Sequence, residues 1–204
     1  FSNFGTGLNQ RNPFYEVQIK YLGDVNNVAS NSLFDFYDLN GDPRLESVYR
    51  ANSASAYLSI AQGTGDTFNN LASNYSRPNI EADTPVYLMT VAESNFLQAE
   101  ALIRYSSGVG AKEKYENGIK SSFETYGLSA DLATPLIEAG GVYEYTVGTD
   151  IESTVRQVII QKWASLAYIN NIESYIETTR TKFPEVVPES DADYSIGNRI
   201  PSAI

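Results

Sequence analysis

A chain of 204 residues, 42% hydrophobic and 19% charged, can bury one sizeable core and is not composed like a disordered segment. Its net charge of −11 argues against nucleic acid and against a polybasic membrane-surface mode, since both depend on Lys and Arg meeting phosphates. With no cysteine and no histidine it cannot assemble a disulfide framework, a thiolate or imidazole metal site, or a Ser-His-Asp or Cys-His nucleophilic centre, and no cofactor is expected.

The chain contains no apolar run of the length a membrane-spanning helix needs. It opens at Phe1 with neither an initiator Met nor a signal peptide, which reads as a processed or truncated piece of a longer protein. Residues 1–27 are mixed and turn-rich. Asn12-Pro13 marks a turn, and the alternation of Val17, Ile19 and Tyr21 predicts a short strand. A short helix is expected over 30–39, with Leu33, Phe34 and Tyr37 on one side. Asn40 or Gly41 then supplies the left-handed cap, and Pro43 blocks continuation. Asp42 and Arg44 flank that proline and are read as closing the turn and pairing with each other.

Residues 46–83 alternate weakly, with a short strand at Tyr57 to Ile60. The remainder is loop, unusually long for a compact domain and therefore a candidate functional excursion. From Asp83 to Tyr105 a helix is expected, with Asp83 or Thr84 as N-cap and Pro85 at its first position. Met89, Ala92, Phe96, Ala99 and Ile103 form its apolar stripe, and small residues allow close approach of a partner. Ser106 to Gly110 turns the chain into a second helix over 111–126, striped by Tyr115, Ile119 and Phe123 and ended by Gly127. Two antiparallel helices on a short turn make a hairpin of tetratricopeptide type.

A second connection covers 128–149, with a helical piece at 131–139 and a strand or extended arm from Val142 to Val147. Thr149 and Glu152 predict a capping box for a helix over 152–169, lined by Val155, Ile159, Trp163 and Leu166. Asn170-Asn171 turns the chain into a return helix over 172–181. The fold class read from this pattern is mainly α, a single region over 1–204 with helical hairpins at about 85–126 and 152–181 and long loops at 46–83 and 128–149. The Trp163 ring sits inside its helix stripe and reads as core. Gly63-Thr64-Gly65 and Gly108-Val109-Gly110 lack the Lys-Ser/Thr of a phosphate loop, and Asp38 to Asp42 fits no EF-hand.

Glu93 and Glu100 are set into the 83–105 stripe seven residues apart, roughly 10.5 Å along the axis. That is at or beyond the carboxylate separation of about 6.5–9.5 Å in inverting glycosidases, and well past the about 5–5.5 Å of retaining ones. They read as structural carboxylates, bonded to backbone or to Arg104, Arg156, Lys162 or Arg180.

The run Ala92-Glu93 followed by Phe96-Leu97-Gln98-Ala99-Glu100-Ala101 resembles the AE…FL-AEA helix of the SusD/RagB family, the outer-membrane nutrient-binding lipoproteins of Bacteroidetes. Asp42-Pro43-Arg44-Leu45 is similar to the family's DPRL turn. Ala111-Lys112, Tyr115-Glu116, Gly118-Ile119-Lys120 and Ser122-Phe123 follow its second hairpin helix, and Ile159-Ile160-Gln161-Lys162-Trp163-Ala164 its QKW helix. Thr179-Arg180-Thr181-Lys182-Phe183-Pro184 looks like its RRTGYP, with Thr179 for the first Arg and Lys182 for the Gly, and Arg199-Ile200-Pro201 like its RIP. The resemblance covers about residues 12–201, the C-terminal part of a family whose members run more than twice this length.

The resemblance implies a SusD-like α/α superhelix of which this chain is part. It also implies a non-catalytic cell-surface protein that captures glycan or peptide nutrients and passes them to a SusC-like TonB-dependent transporter. Attachment to the outer membrane would be through an N-terminal lipidated cysteine that this chain lacks. The family's loops carry ligand contacts, so the loop aromatics Tyr57, Tyr75, Tyr143 and Tyr145 become the expected ligand platforms, with Phe68, Asn74 and Arg77 beside them. The alternative is that these loops face the transporter or the missing half. A glycan-active enzyme fragment or a helical-repeat scaffold for proteins are the competing functions.

Overall fold

The computed structural model describes residues 3–7, 9–24, 27–61 and 71–185. The chain forms two compact units, one up to Tyr87 and one from Leu88.

The first unit is built of short elements laced by turns. Helix α1 (Pro13–Tyr15) starts under Asn12, whose Oδ1 accepts from the N–H groups of Phe14 and Tyr15, and winds on as a wide π turn over Glu16–Tyr21. The strand expected at Val17 to Tyr21 is therefore helical. An Asx cap followed by proline at the first position nucleates a helix, and among the described residues no strand pairs with this segment, where Tyr21 is 85% exposed. Helix α2 (Asn31–Leu39), capped by Ser30, buries Phe34 and Tyr37 as expected. Gly41 takes the left-handed conformation, and the chain enters α3 (Arg44–Val48).

There Asp42 and Arg44 form a fully buried pair. The guanidinium Nη2 donates to Oδ2 at 2.6 Å and Nε reaches both oxygens at 3.1 Å, while the Arg44 N–H donates to Oδ1 at 2.9 Å. The charge is tolerated at this depth because the carboxylate satisfies several donors at once.

The 46–83 segment has more structure than a loop: β1 (Tyr49–Arg50) pairs antiparallel with β2 (Arg77–Pro78), preceded by α4 (Leu71–Asn74). The strand expected at Tyr57 to Ile60 is reduced to one parallel bridge, Ser30 with Ile60.

The second unit is the helical one. Helix α5 (Val91–Tyr105) buries Ala92, Phe96, Ala99 and Ile103 along the expected stripe. It begins later than expected, under Thr90, whose Oγ1 accepts from Glu93 N–H at 3.0 Å. Asp83 and Thr84 belong to a turn instead: Thr84 Oγ1 accepts from Glu81 N–H, and the Thr84 carbonyl accepts from Asn12 Nδ2 at 2.7 Å. Leu88 and Met89 consequently lie outside the helix and are exposed.

Helix α6 (Ala111–Thr125) returns against α5, burying Tyr115, Ile119 and Phe123, and stops at left-handed Gly127. A 3-10 turn (Ala130–Ala133) and α7 (Thr134–Ile137) occupy the expected helical piece. Helix α8 (Ile151–Ser165) packs on α5, and α9 (Asn171–Thr181) packs on α8. The capping box of α8 is one residue from the expected pair. Ser153 N–H donates to Asp150 Oδ1 at 2.7 Å, and Asp150 N–H to Ser153 Oγ at 3.1 Å. This leaves Glu152 free to reach across to α5. Among the described residues no helix is long and apolar enough to cross a membrane.

Candidate functional site

Two places in the chain carry the polar and aromatic groups singled out by the sequence, one in each unit. In the first unit, Asn52 organises the 52–60 segment. Its Oδ1 accepts from Ala54 and Ala56 N–H, and its Nδ2 donates to the Asn74 carbonyl at 2.8 Å. Ser76 is wholly buried and exchanges two bonds with Leu58: Leu58 N–H donates to Ser76 Oγ at 3.0 Å and Ser76 N–H to the Leu58 carbonyl at 2.8 Å. This lacing sets the segment carrying Tyr57 beside the segment carrying Asn74, Tyr75 and Arg77. Tyr57 and Tyr75 are half-buried and Asn74 is exposed. Burial, then the charge of Glu46, pushes the Tyr57 hydroxyl above its ordinary pKa. Phe68 lies outside the described residues.

Arg77 sits on β2 directly opposite Arg50 on β1. Both guanidiniums meet one carboxylate, Asp24 Oδ2, at 2.7 Å from Arg77 and 3.0 Å from Arg50, while Arg50 Nε donates to the Pro78 carbonyl. Beside this cluster is a small cleft lined by Phe14, Gln18, Ile19, Asn27, Asp24 and Pro78, in which Asn27 Nδ2 donates to Gln18 Oε1 at 2.6 Å. Asp24 and Arg50 were not foreseen as site residues. They lie 53 and 27 positions from Arg77 (77 − 24 and 77 − 50) in segments without periodicity, so no sequence signal joins them.

In the second unit the 142–147 arm is stapled to α8. Thr146 N–H donates to Gln157 Oε1 and Gln157 Nε2 donates back to the Thr146 carbonyl. Tyr143 is 5% exposed, and the half-buried Tyr145 ring leans on Tyr115 with centroids 5.5 Å apart. Burial raises the Tyr145 pKa. Of the two tyrosines expected as platforms here, Tyr143 is thus buried and Tyr145 shares its ring with the hairpin core.

Glu93 and Glu100 both face inward on α5. Glu100 accepts from Arg104 Nε at 2.7 Å and from Arg180 Nη1 and Nη2 at 2.8 and 2.6 Å. Arg104 goes on to Glu152, Arg180 to Glu177 at 2.7 Å, and the Glu177 carboxylate to Lys162 Nζ at 3.3 Å. Burial works to raise the Glu100 pKa, but the hydrogen bonds from Arg180 and Arg104 outweigh it and hold the carboxyl below its usual range. Glu93 goes the other way. Burial dominates and raises it, against the attraction of Lys162 and a bond from the Thr90 N–H. Two of the four partners expected for these carboxylates, Arg104 and Arg180, hold Glu100. The chain of alternating charges ties α5, α8 and α9 together and presents no open acid–base pair to a substrate.

A family model described as starch-binding and associating with the outer membrane matches residues 6–202. The fold is similar to that of a SusD homologue from Bacteroides uniformis, with a TM-score of 0.76 and 26% identity over 96% of this chain and 45% of that one. It is also similar to SusD homologues from Bacteroides thetaiotaomicron (TM-score 0.70, 24% identity, 91% and 44% of the two chains) and Bacteroides fragilis (0.67, 20%, 94% and 47%). The chain spans less than half the length of these solved structures. No curated protein matches it.

Proposed function

This chain belongs to the SusD-like family, and from that premise we propose that it is part of a non-catalytic outer-membrane binding protein that captures glycan nutrients, with peptide as the alternative cargo. The captured ligand is handed to a SusC-like TonB-dependent transporter, and the full-length protein is held at the cell surface by a lipid anchor. The observation that supports this most is the match of the family model across nearly the whole chain. The burial of Glu93 and Glu100, the latter held by two arginines, supports binding over hydrolysis, because a glycosidase needs two carboxylates open to one bond.

In this reading the first unit offers ligand the half-exposed Tyr57 and Tyr75 as stacking faces, with Asn74 and Arg77 as polar contacts. Tyr145 is the more reachable of the two arm tyrosines in the second unit. Isothermal titration of oligosaccharides into the full-length protein and its Tyr57→Ala and Tyr75→Ala variants tests the assignment. Weakened binding is expected, since each stacking face contributes on the order of a kcal/mol. Unchanged affinity together with weakened transporter binding would reassign these tyrosines to the partner interface.

A further inference from the structure

The inference concerns the Arg50–Asp24–Arg77 cluster and rests on the glycan-capture reading above. Arg50 and Arg77 are register partners in the antiparallel pair β1–β2. Like charges directly opposite on a two-stranded ribbon repel each other. Asp24, whose Oδ2 takes both guanidiniums, carries one negative charge and so answers only one of the two. Among the described residues this is the one ion-paired cluster in which cations outnumber carboxylates. Arg11–Glu16, Arg44–Asp42 and Lys112–Glu116 are balanced, and the second unit's network sets Glu100, Glu152 and Glu177 against Arg104, Arg180 and Lys162. A local surplus of positive charge therefore stands in a chain whose net charge is −11.

The surplus is reachable and incompletely bonded. The Arg50 and Arg77 side chains are 29% and 24% exposed, and Arg77 Nε is buried with no hydrogen-bond partner. Asp24 also lines the adjoining cleft, where the Phe14 ring and the amides of Gln18 and Asn27 offer an apolar face with donors and acceptors. A planar fork of N–H donors matches a carboxylate in two-point geometry. We propose that Arg50 and Arg77 receive a single carboxylate of the ligand, so that the glycan captured at this unit carries uronic acid. Asp24 would hold both guanidiniums in place and set the charge deficit at one.

The test is titration of the full-length protein with tetragalacturonate and a glucuronate-bearing xylan oligosaccharide, each against its carboxyl-reduced counterpart. At least one acidic form should bind ten-fold or more tighter than its reduced form, and the difference should shrink as salt is raised. Arg50→Gln and Arg77→Gln should each erase most of that preference, leaving the acidic and reduced forms within about two-fold of one another. Arg77→Lys should restore only part of it. If either glutamine variant unfolds, Asp24→Asn provides a second reading: removal of the competing carboxylate should make the acidic oligosaccharide raise the melting temperature by more than it does in the wild type. Equal affinity for acidic and reduced forms, or an acidic preference that survives both arginine substitutions, overturns the carboxylate receptor and leaves glycan capture standing. Binding of no oligosaccharide, acidic or neutral, overturns both.

Discussion

Gly118 on α6 lies against the ring of Phe96 on α5, so closely that a Cβ at Gly118 would stand 2.6 Å from the ring's Cε1. The ring cannot simply swing away. Phe96 is 1% exposed and its edge meets Tyr115, with centroids 6.4 Å apart. A glycine inside a helix costs about 1 kcal/mol relative to alanine, so its presence here reflects the helix–helix approach rather than helix formation.

Gly118→Ala should therefore destabilise the protein by about 1–3 kcal/mol despite its better helix propensity, as overpacked cores do. Thermal unfolding measures it. Combining Gly118→Ala with Phe96→Leu should recover part of the loss, and strictly additive losses would mean the two residues do not compete for this space.

Glu100→Gln should cost about 2 kcal/mol at neutral pH. That is less than the roughly 3–5 kcal/mol of a fully buried pair, because Arg180 is partly exposed and screened. The folded-state pKa of Glu100 is depressed. Its stabilisation is complete above the unfolded carboxyl range and is lost as pH falls through the folded value. Denaturant melts between pH 7 and 3 should show a shallower acid decline in the variant. An unchanged acid limb would remove Glu100 from the account of acid stability.

Lys162 and Glu93 should differ in how much their loss costs and in how that cost varies with pH. Lys162 is wholly buried, with its Nζ 3.3 Å from Glu177, so Lys162→Met leaves that carboxylate to Arg180 alone and should cost about 1–2 kcal/mol. Glu93 has a raised folded pKa, so its ionised form weighs against the fold as pH climbs above the unfolded carboxyl range. Glu93→Gln should cost under about 1 kcal/mol at pH 7, and its stability relative to the wild type should improve from pH 4 to pH 7. A relative stability that worsened over that range would contradict the raised pKa.

Thr90→Ala should remove about 1 kcal/mol by stripping the N-cap of α5. Asp83→Ala, in an exposed turn, should stay within about 0.5 kcal/mol. Paired chemical denaturation curves separate the two positions directly.

How much of this was legible in the sequence follows from the range over which each signal acts. The stripes Ala92–Phe96–Ala99–Ile103 and Tyr115–Ile119–Phe123 were readable because helical spacing is written within a few residues. The Asp42–Arg44 pair was readable for the same reason, with both partners on one proline turn. The start of α5 was not. Asp83, Thr84 and Pro85 make a sound helix opening by themselves, but Asn12, 72 residues away, claims the Thr84 carbonyl and leaves Thr90 to cap the helix.

By itself the sequence determined the fold class, the paired helices and the family, since apolar period, turn chemistry and recurring words all survive in the unfolded chain. Tertiary structure alone decided which charges meet. Arg180 reaches Glu100 across 80 residues, and Asp24 gathers Arg50 and Arg77 across 26 and 53. A guanidinium finds its carboxylate only once the intervening segments have closed, and nothing in its immediate neighbours records which one that will be.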